Sequence, residues 1–385
     1  MTVPLLAASG KITTIELTDP PSDHPTGVAP RTREVFAAAH VVPATWADNT
    51  AEAPATIDWD ATLAFRRNVW SWGLGVADAM DTAQRNMGLD WDATAELIRR
   101  SAAEARSVGG SLVVGVNTDH VADAVIGLEQ VIDAYLFQLD VAEEAGAGVV
   151  LMASRHLARA AETAADYERV YRTVIERASS PVVLHWLGAA FDAQLAGYFG
   201  STNWRQAAEV VQRIIGDNLA KVRGIKMSLL DADAEIQVRR ALPARVRLYT
   251  GDDFHYVDLI EGDEHGHSDA LLGAFAAVAP RAAVGLASLD AGDHARYHAV
   301  LDPTETLARQ IFAAPTQFYK TGVAFLSWLN GHQPAFQMVG GLHSGRSLPH
   351  LSEIVRLANL AGALEHPDTA ACRWTNLLAV NGIRS

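Results

Sequence analysis

The sequence has little cysteine, no long uninterrupted apolar segment and no cluster of basic residues. Cys372 is the only cysteine among 385 residues, which excludes an internal disulfide framework and a cysteine-rich zinc site, and predicts a reducing, cytoplasmic compartment. The most apolar stretch, residues 270–289, is interrupted by Pro280 and Arg281, so we expect no membrane span. The first residues lack the basic start and the apolar core of a signal peptide, so we expect no secretion.

The charge of the chain narrows its range of partners. A formal net charge of −14, without any block of lysine and arginine, disfavours nucleic acids and anionic membranes. The content of hydrophobic residues, 49%, is sufficient for a large core. We therefore expect a soluble globular protein whose partner is a small-molecule substrate.

Short apolar runs alternate regularly with longer amphipathic segments. Helical periodicity is present in residues 90–106, 121–145, 165–178, 204–216 and 231–242. The apolar runs predict eight strands, at residues 35–42, 75–80, 112–117, 148–153, 181–186, 223–228, 246–251 and 270–274. This pattern is typical of a (β/α)8 TIM barrel. An open doubly wound sheet is less favoured, because no Gly-x-Gly-x-x-Gly follows any of these strands.

We predict three parts in the chain. The barrel occupies residues 31–301. An irregular N-terminal extension, residues 1–30, precedes it, and a C-terminal segment of helices and loops, residues 302–385, packs on it.

Lys226 is the most unusual residue of the predicted barrel, because it interrupts an otherwise apolar sixth strand. Alternation along the strand places Gly224, Lys226 and Ser228 on one face, which is the interior of a closed barrel. A buried ammonium loses hydration, so its pKa falls and more free amine is available to attack a carbonyl. The sequence thus suggests a Schiff-base lysine. The alternative is a lysine that reaches solvent or pairs with a carboxylate at the strand end.

Polar and ionisable residues are concentrated where the predicted strands end. The active sites of such barrels lie at the carboxyl ends of the strands. The candidates at these ends are Asp81, Thr82, Gln84, Asn117, Thr118, Asp119, His120, Ser154, Arg155, His156, His185, Trp186, Lys226, Ser228, Asp252, Asp253 and His255.

Several segments resemble, in the same order, the motifs of one enzyme superfamily, that of dihydrodipicolinate synthase and N-acetylneuraminate lyase. The resemblance covers about residues 35–303. The main motifs are Asp81-Thr82-Ala83-Gln84, Val114-Gly115-Val116, Pro181-Val182-Val183-Leu184-His185-Trp186, Gly224-Ile225-Lys226, Tyr249-Thr250-Gly251-Asp252-Asp253 and the run 271–280. Two later segments, Tyr319-Lys320-Thr321-Gly322 and Trp328-Leu329-Asn330-Gly331, are similar to a divergent, functionally unassigned branch of it.

The resemblance implies a class I aldolase, lyase or dehydratase. Lys226 would form the Schiff base, and His185 would act as general acid and base. The substrate-binding residues would be Asp81, Thr82, Gln84, Gly251 and Asp252. This chemistry needs no external cofactor and no metal, and the family tendency predicts a homo-oligomer, a dimer or tetramer.

Three departures from the family motifs bear on the mechanism and on the substrate. His185 stands where the family has a tyrosine that shuttles protons, and an imidazole with an ordinary pKa of about 6.5 can replace it. Asp81 would repel a carboxylate in the loop after strand two. The family arginine after strand five is also missing. We therefore expect a hydroxylated carbonyl compound, such as a keto sugar or a 2-keto acid.

Two other functions stay open. The segment 263–269 has a His-x-His pair, His265 and His267, among carboxylates. It would suit a metal-dependent aldolase or isomerase if it joined His185, Asp252, Asp253 and His255. A buried lysine beside a divalent cation is unfavourable, so this hypothesis competes with the Schiff base. The third possibility is a non-catalytic sugar-binding barrel, for which a buried lysine would be a cost without a benefit.

A glycine-rich segment, residues 340–347, is a further candidate. Its backbone N–H groups and Arg346 would contact an anion if the segment reached the strand ends. Otherwise it is a turn between two helices, and its position does not follow from the sequence.

Overall fold

The computed structural model describes residues 1–22 and 27–383. The chain begins with an antiparallel hairpin of β1 (Thr2–Leu6) and β2 (Ile12–Glu16). The N-terminal extension, predicted to be irregular, is therefore partly a β-hairpin. Residues 23–26 of the predicted extension and residues 384–385 of the predicted C-terminal segment lie outside the described residues.

Eight parallel strands form a closed barrel, as the alternating apolar runs predicted. They pair in the spatial order β10, β3, β4, β5, β6, β7, β8, β9, and β9 returns to β10. The strands are β3 (Val35–Ala38), β4 (Gly75–Asp78), β5 (Leu112–Val116), β6 (Gly148–Leu151), β7 (Val182–Leu187), β8 (Val222–Ser228), β9 (Arg247–Thr250) and β10 (Asp269–Leu272). Most predicted strands are a few residues too long, because the chain stays buried after it leaves the hydrogen-bonded ladder.

Helices connect the strands and cover the barrel. Those before the eighth barrel strand are α1 (Trp59–Ser71), α2 (Trp91–Val108), α3 (Leu128–Glu144), α4 (Arg155–Ala160), α5 (Ala164–Arg177), α6 (Trp204–Asp217), α7 (Ala232–Ala241) and α8 (Tyr256–Glu261). Aspartates cap several of them: Asp58, Asp90 and Asp231 accept a hydrogen bond from a backbone N–H of the first turn. The segment predicted as one helix over 121–145 begins only at Leu128, because residues 121–127 form a loop.

Along each barrel strand, side chains point alternately into the barrel interior and towards the surrounding helices. The interior contains Phe36, Ala38, Ala77, Met80, Val113, Val150, Met152, Val183, Tyr249 and Leu271. On β8, by contrast, Ile225 and Met227 pack in the larger outer core between strands and helices. Alternation then turns Lys226 inward, as predicted.

Six helices follow the barrel: α9 (Gly273–Ala277), α10 (Ala279–Asp290), α11 (His294–Ile311), α12 (Tyr319–Leu329), α13 (Leu348–Leu360) and α14 (Pro367–Val380). The predicted boundary between residues 301 and 302 falls within α11, and the three-part division stays a prediction. Ten of the eleven residues of α12 are buried. No helix among the described residues is both long and apolar enough to cross a membrane.

Candidate active site

Lys226 lies inside the barrel near the carboxyl end of β8. His185 on β7 and Tyr249 on β9 are its register partners in the two neighbouring strands. A side chain at Gly251 would place its Cβ 2.7 Å from Cε of Lys226 and 2.2 Å from Oγ of Ser228. A glycine at position 251 therefore leaves room for the side chain of Lys226. This role is steric, and the predicted substrate-binding role of Gly251 stays a prediction.

The amine of Lys226 is shielded and unpartnered. Its side chain is 7% exposed, and no hydrogen bond to Nζ is formed by any of the described residues. Burial lowers the pKa of Lys226 below its usual value, and the negative charges of Asp81 and Asp253 partly oppose this shift. The result is an amine that loses its proton more readily than a solvated lysine, with its lone pair unused by the protein.

His185 is buried completely beside this amine. Its Nδ1 has no hydrogen-bond partner among the described residues, and its Nε2 lies 3.5 Å from Oγ of Ser228. Burial, and then the positive charge of Lys226, lower the pKa of His185 far below its ordinary value. The imidazole is therefore neutral near pH 7, and the predicted acid–base role must use this neutral form.

Asp252 is held by its own turn. Its carboxylate accepts hydrogen bonds from the backbone N–H of Phe254 at 2.9 Å and from Nδ1 of His255 at 3.0 Å. These contacts hold the turn after β9 in place. The predicted substrate-binding role of Asp252 stays a prediction.

Asp253, the next residue, is the carboxylate of this turn that acts on Lys226, and it was not among the predicted catalytic or substrate-binding residues. It is 3% exposed and accepts a hydrogen bond from the backbone N–H of Ala274 at 2.8 Å. Burial raises the pKa of Asp253 to about 7, although Lys226 pulls it down. Asp253 therefore titrates near neutrality within electrostatic reach of Lys226.

The loop after β4 contributes Asp81 and Thr82, which begin a short 3₁₀ turn. Asp81 acts electrostatically on Lys226, on Tyr319 and on Lys320, so it lies among all three. The hydroxyl of Thr82 is hydrogen-bonded to that of Tyr319 at 2.9 Å. The predicted site thus meets the start of α12, a helix of the C-terminal segment.

Tyr319 completes an aromatic wall over the barrel. Its ring stacks on that of Phe312, with centroids 4.4 Å apart and planes inclined by 13°. A Cβ at Gly273 would lie within 3.4 Å of Tyr319, Phe312 and Thr82. Tyr319 and its neighbour Lys320 were missed as site residues. A lysine in an otherwise apolar helix was the available signal.

Gln84 joins two loops over the same face. Its Nε2 donates to the backbone oxygens of Met87 at 3.1 Å and Val339 at 2.8 Å. The backbone of Gly88 approaches that of Gly340 so closely that a Cβ on either would be 3.2 Å or less from the other chain segment. The glycine-rich segment therefore reaches the strand-end face. Gln84 uses its amide to hold it there, and its substrate-binding role stays a prediction.

Arg346 does not present its charge freely to this face. Its Nη2 donates to the backbone oxygens of Ile311 and Ala313, at the end of α11. Nη2 of Arg346 is therefore engaged by backbone carbonyl groups and not by the anion that the sequence suggested.

The metal hypothesis placed His265 and His267 at the carboxyl ends of the strands, and this placement is wrong. The segment with His265 and His267 precedes β10, so it lies at the amino ends of the strands, opposite Lys226. Asp263 of this segment is ion-paired with Arg239 at the end of α7. The segment cannot join the strand-end residues His185, Asp252, Asp253 and His255.

One group among the described residues has ligand spacing suited to a metal. Ligand atoms of Asp258, Glu261 and His298 lie within 4.8 Å of one another. Glu261 already accepts hydrogen bonds from His294 at 2.6 Å and His298 at 2.9 Å. The Glu261 hydrogen bond raises the pKa of His298, which favours its protonated, non-ligating form. The group lies on α8 and α11, away from Lys226.

Comparison with known proteins agrees with this architecture. Residues 3–383 match the family described as "Protein of unknown function (DUF993)". The chain belongs to the DUF993 family. No curated protein matches its sequence. The matched family has no assigned function, as predicted for a functionally unassigned branch.

Solved structures similar to this DUF993 protein include dihydrodipicolinate synthases. The enzyme from Aquifex aeolicus aligns with a TM-score of 0.66 at 11% identity, covering 86% of this chain and 99% of that one. The enzyme from Thermotoga maritima gives a TM-score of 0.63 at 16% identity, covering 87% and 100%. At these identities the likeness shows a shared fold.

In this DUF993 protein a polar cavity of about 210 Å³ opens at the carboxyl ends of β5 and β6. It is lined by Asn86, Asn117, Thr118, Asp119, Arg155 and His156, among others. Arg155 is ion-paired with Asp192 at 2.6 Å and acts electrostatically on Lys320. Arg155 therefore couples one wall of this cavity electrostatically to the start of α12.

The carboxyl group of Glu235 lies outside the barrel, beneath the turn after β9. Its burial makes the stability of the protein depend on pH. Its carboxyl group is hydrogen-bonded to Thr250 at 3.0 Å and Ser268 at 2.7 Å, and burial raises its pKa to about 8. Between about pH 4.5 and 8 only the unfolded chain loses this proton, so wild type loses stability as pH rises. We expect Glu235→Gln to unfold at a higher urea concentration at pH 8.5, with a gain of roughly 2–4 kcal/mol.

The control for this prediction is Glu209→Gln on the exposed face of α6. It should follow wild type at every pH. The gain of Glu235→Gln should vanish near pH 4, where both states of wild type are protonated. A pH-independent difference would contradict a protonated Glu235 in the folded protein.

Proposed function

We propose that this protein is a class I lyase, an aldolase or dehydratase that forms a Schiff base through Lys226. One observation carries the proposal: the amine of Lys226 lies inside a closed barrel near its carboxyl end, without a hydrogen-bond partner among the described residues. A buried lysine has a desolvation cost, and the charges of Asp81 and Asp253 offset it only in part. A reactive amine accounts for that cost.

The chemistry begins with the proton of Lys226. Asp253, whose pKa is raised to about 7, accepts this proton and leaves a neutral amine. The amine adds to the substrate carbonyl and gives a carbinolamine, which loses water to become an iminium ion. The iminium nitrogen withdraws electrons, so that a C–C or C–O bond β to it breaks. The steps need no external cofactor.

Two neutral groups are suited to proton transfer at the substrate oxygen. Burial raises the pKa of Tyr319 well above its usual value, so its hydroxyl stays protonated and can donate. The neutral imidazole of His185 can accept or donate one hydrogen bond through its unpartnered Nδ1. Thr82 holds Tyr319, which assigns Thr82 a positioning role.

The proposed substrate is a hydroxylated carbonyl compound, such as a keto sugar or a 2-keto acid. Asp81 is half-buried, and its charge acts on both Lys226 and Lys320. Its carboxylate can accept hydrogen bonds from hydroxyl groups of the substrate. A homo-oligomeric assembly and a cytoplasmic location belong to the same proposal.

Replacing Asp253 tests the proton transfer. We expect Asp253→Asn to slow imine formation by roughly 10²-fold, within the range known for general acid–base groups. In wild type the rate should rise with pH through about 7, as Asp253 loses its proton. The variant should lack this rise. The measurement is the rate of borohydride-trapped adduct between pH 5.5 and 9.

Asp252→Asn is the matched control, since it changes a buried acid in the same turn. It should retain the rise, at a somewhat lower pH, because the charge of Asp252 helps to raise the pKa of Asp253. An Asp253→Asn variant with the wild-type pH profile would exclude Asp253 as the base.

A further inference from the structure

Lys320 is a second buried amine at the carboxyl face of the barrel. It is the second residue of α12 and is 3% exposed. Its Nζ lies 3.5 Å from Sδ of Met87, in the loop after β4, and its neighbour Tyr319 is hydrogen-bonded to Thr82. The helix thus inserts this lysine beside the predicted substrate loop.

The contacts of Lys320 leave its charge poorly compensated. Its Nζ donates to the backbone oxygen of Gln317 at 3.3 Å, and a thioether such as that of Met87 is a weak acceptor. The ring of Tyr319 lies 4.6 Å away. No described carboxylate lies within 4.0 Å of this nitrogen. An ammonium has three donors, so at least one remains for a ligand.

The surrounding charges favour an added anion. Asp192 is ion-paired with Arg155 at 2.6 Å, which leaves Asp81 as the principal unpaired negative charge near Lys320. Asp81 also acts on Lys226. Once Lys226 carries an iminium ion, its positive charge and that of Lys320 are both near one carboxylate, that of Asp81. The carboxyl group of Asp253 readily accepts a proton and then carries no negative charge.

We propose that Lys320 binds an anionic group, a carboxylate or a phosphate, of the substrate whose carbonyl reacts with Lys226. The anionic group would lie at Nζ of Lys320, on the side of the cavity that Arg155 lines. Arg155 stays paired with Asp192, so Lys320 supplies the unpaired positive charge. The inference rests on the proposed imine chemistry for its kinetic consequences. Binding of the anion does not depend on that chemistry.

The kinetic test compares Lys320→Met with wild type. The probes are dihydroxyacetone phosphate, pyruvate and dihydroxyacetone, which share a ketone and differ in the anionic group. For whichever anionic probe the site accepts, we expect the concentration that gives half-maximal borohydride trapping to rise roughly 10- to 100-fold, as for loss of one charged hydrogen bond. Dihydroxyacetone should change little. The choice between phosphate and carboxylate follows from which probe responds.

Lys320→Arg is the matched control, because it keeps the charge and should keep part of the preference for the anionic probe. Circular dichroism and urea unfolding establish that each variant is folded. An equal loss for the anionic and neutral probes, or no loss for either, would overturn the proposal and leave Lys320 a packing residue.

A binding measurement separates this inference from the proposed function. In Lys226→Met no imine can form at position 226, and calorimetry with dihydroxyacetone phosphate or pyruvate should still detect binding. The double variant Lys226→Met, Lys320→Met should bind the same probe with an affinity at least 10-fold lower. If wild type forms no adduct but this difference is found, the imine proposal fails and the anion site stands. Equal affinities in the two variants would overturn the anion site.

Discussion

Lys226→Ala is expected to lower imine formation and turnover by at least about 10³-fold, because the variant lacks the amine that attacks the carbonyl. The fold should persist, since removing a buried cation without an ion-pair partner relieves a desolvation cost. Borohydride-trapped adduct and initial rates measure the first effect, and urea unfolding measures the second.

Lys226→Arg is the matched control for this variant. It keeps a positive charge at the same place but cannot form an imine, so it should be as inactive as the alanine variant. Activity near that of wild type in either variant would exclude Lys226 as the nucleophile. Loss of folding in both would show instead that Lys226 is structural.

Arg66→Met is expected to reduce the free energy of unfolding by about 3–5 kcal/mol, the usual cost of removing one partner from a buried ion pair. Nε and Nη2 of Arg66 donate to both carboxylate oxygens of Asp78, at 2.8 and 2.7 Å, and neither side chain is exposed. Nη1 also donates to the backbone oxygen of His40 at 2.7 Å. The pair ties α1 to the end of β4, just before the loop with Asp81.

The exposed pair of Arg100 and Glu96 provides the control for Arg66→Met. Both side chains are more than a third exposed, and Arg100 also lies over the ring of Trp59, so Arg100→Ala should cost only about 1 kcal/mol or less. Urea unfolding of both variants measures the difference. A cost below about 1 kcal/mol for Arg66→Met would show that solvent reaches the pair.

The barrel was predictable because its eight strands are short apolar runs separated by amphipathic helices. The inward direction of Lys226 and His185 also followed, since side chains alternate along a strand and adjacent parallel strands are in register. These are local rules, and they hold wherever a strand belongs to a closed barrel. Substrate-binding roles depend on where side chains point beyond the strands, and alternation does not determine this.

The turn after β9 shows this limit. Asp252 and Asp253 are consecutive acids, and their backbone contacts separate their roles: Asp252 caps the turn, and Asp253 faces the charge of Lys226. No sequence pattern distinguishes the two. The error about His265 and His267 was avoidable, because a segment that precedes a strand lies at its amino end.

The contribution of α12 was not predictable from the barrel pattern. A helix after the eighth strand has no place defined by the βα repeat, and only tertiary packing sets Tyr319 on Phe312 and beside Thr82. The hairpin of β1 and β2 was missed for a related reason. It packs on the C-terminal helices, where Trp374 donates to the backbone oxygen of Pro4 at 2.7 Å, and short paired strands without a buried repeat resemble irregular chain.

The most direct test of the central claim is borohydride trapping of the wild-type protein with a panel of 2-keto acids and keto sugars, with and without EDTA. Intact mass and peptide mapping then identify the modified residue. The account predicts one adduct, on Lys226, that does not depend on the chelator, with a mass that reports the substrate class. Absence of any adduct across the panel, or an adduct on another lysine, would contradict it.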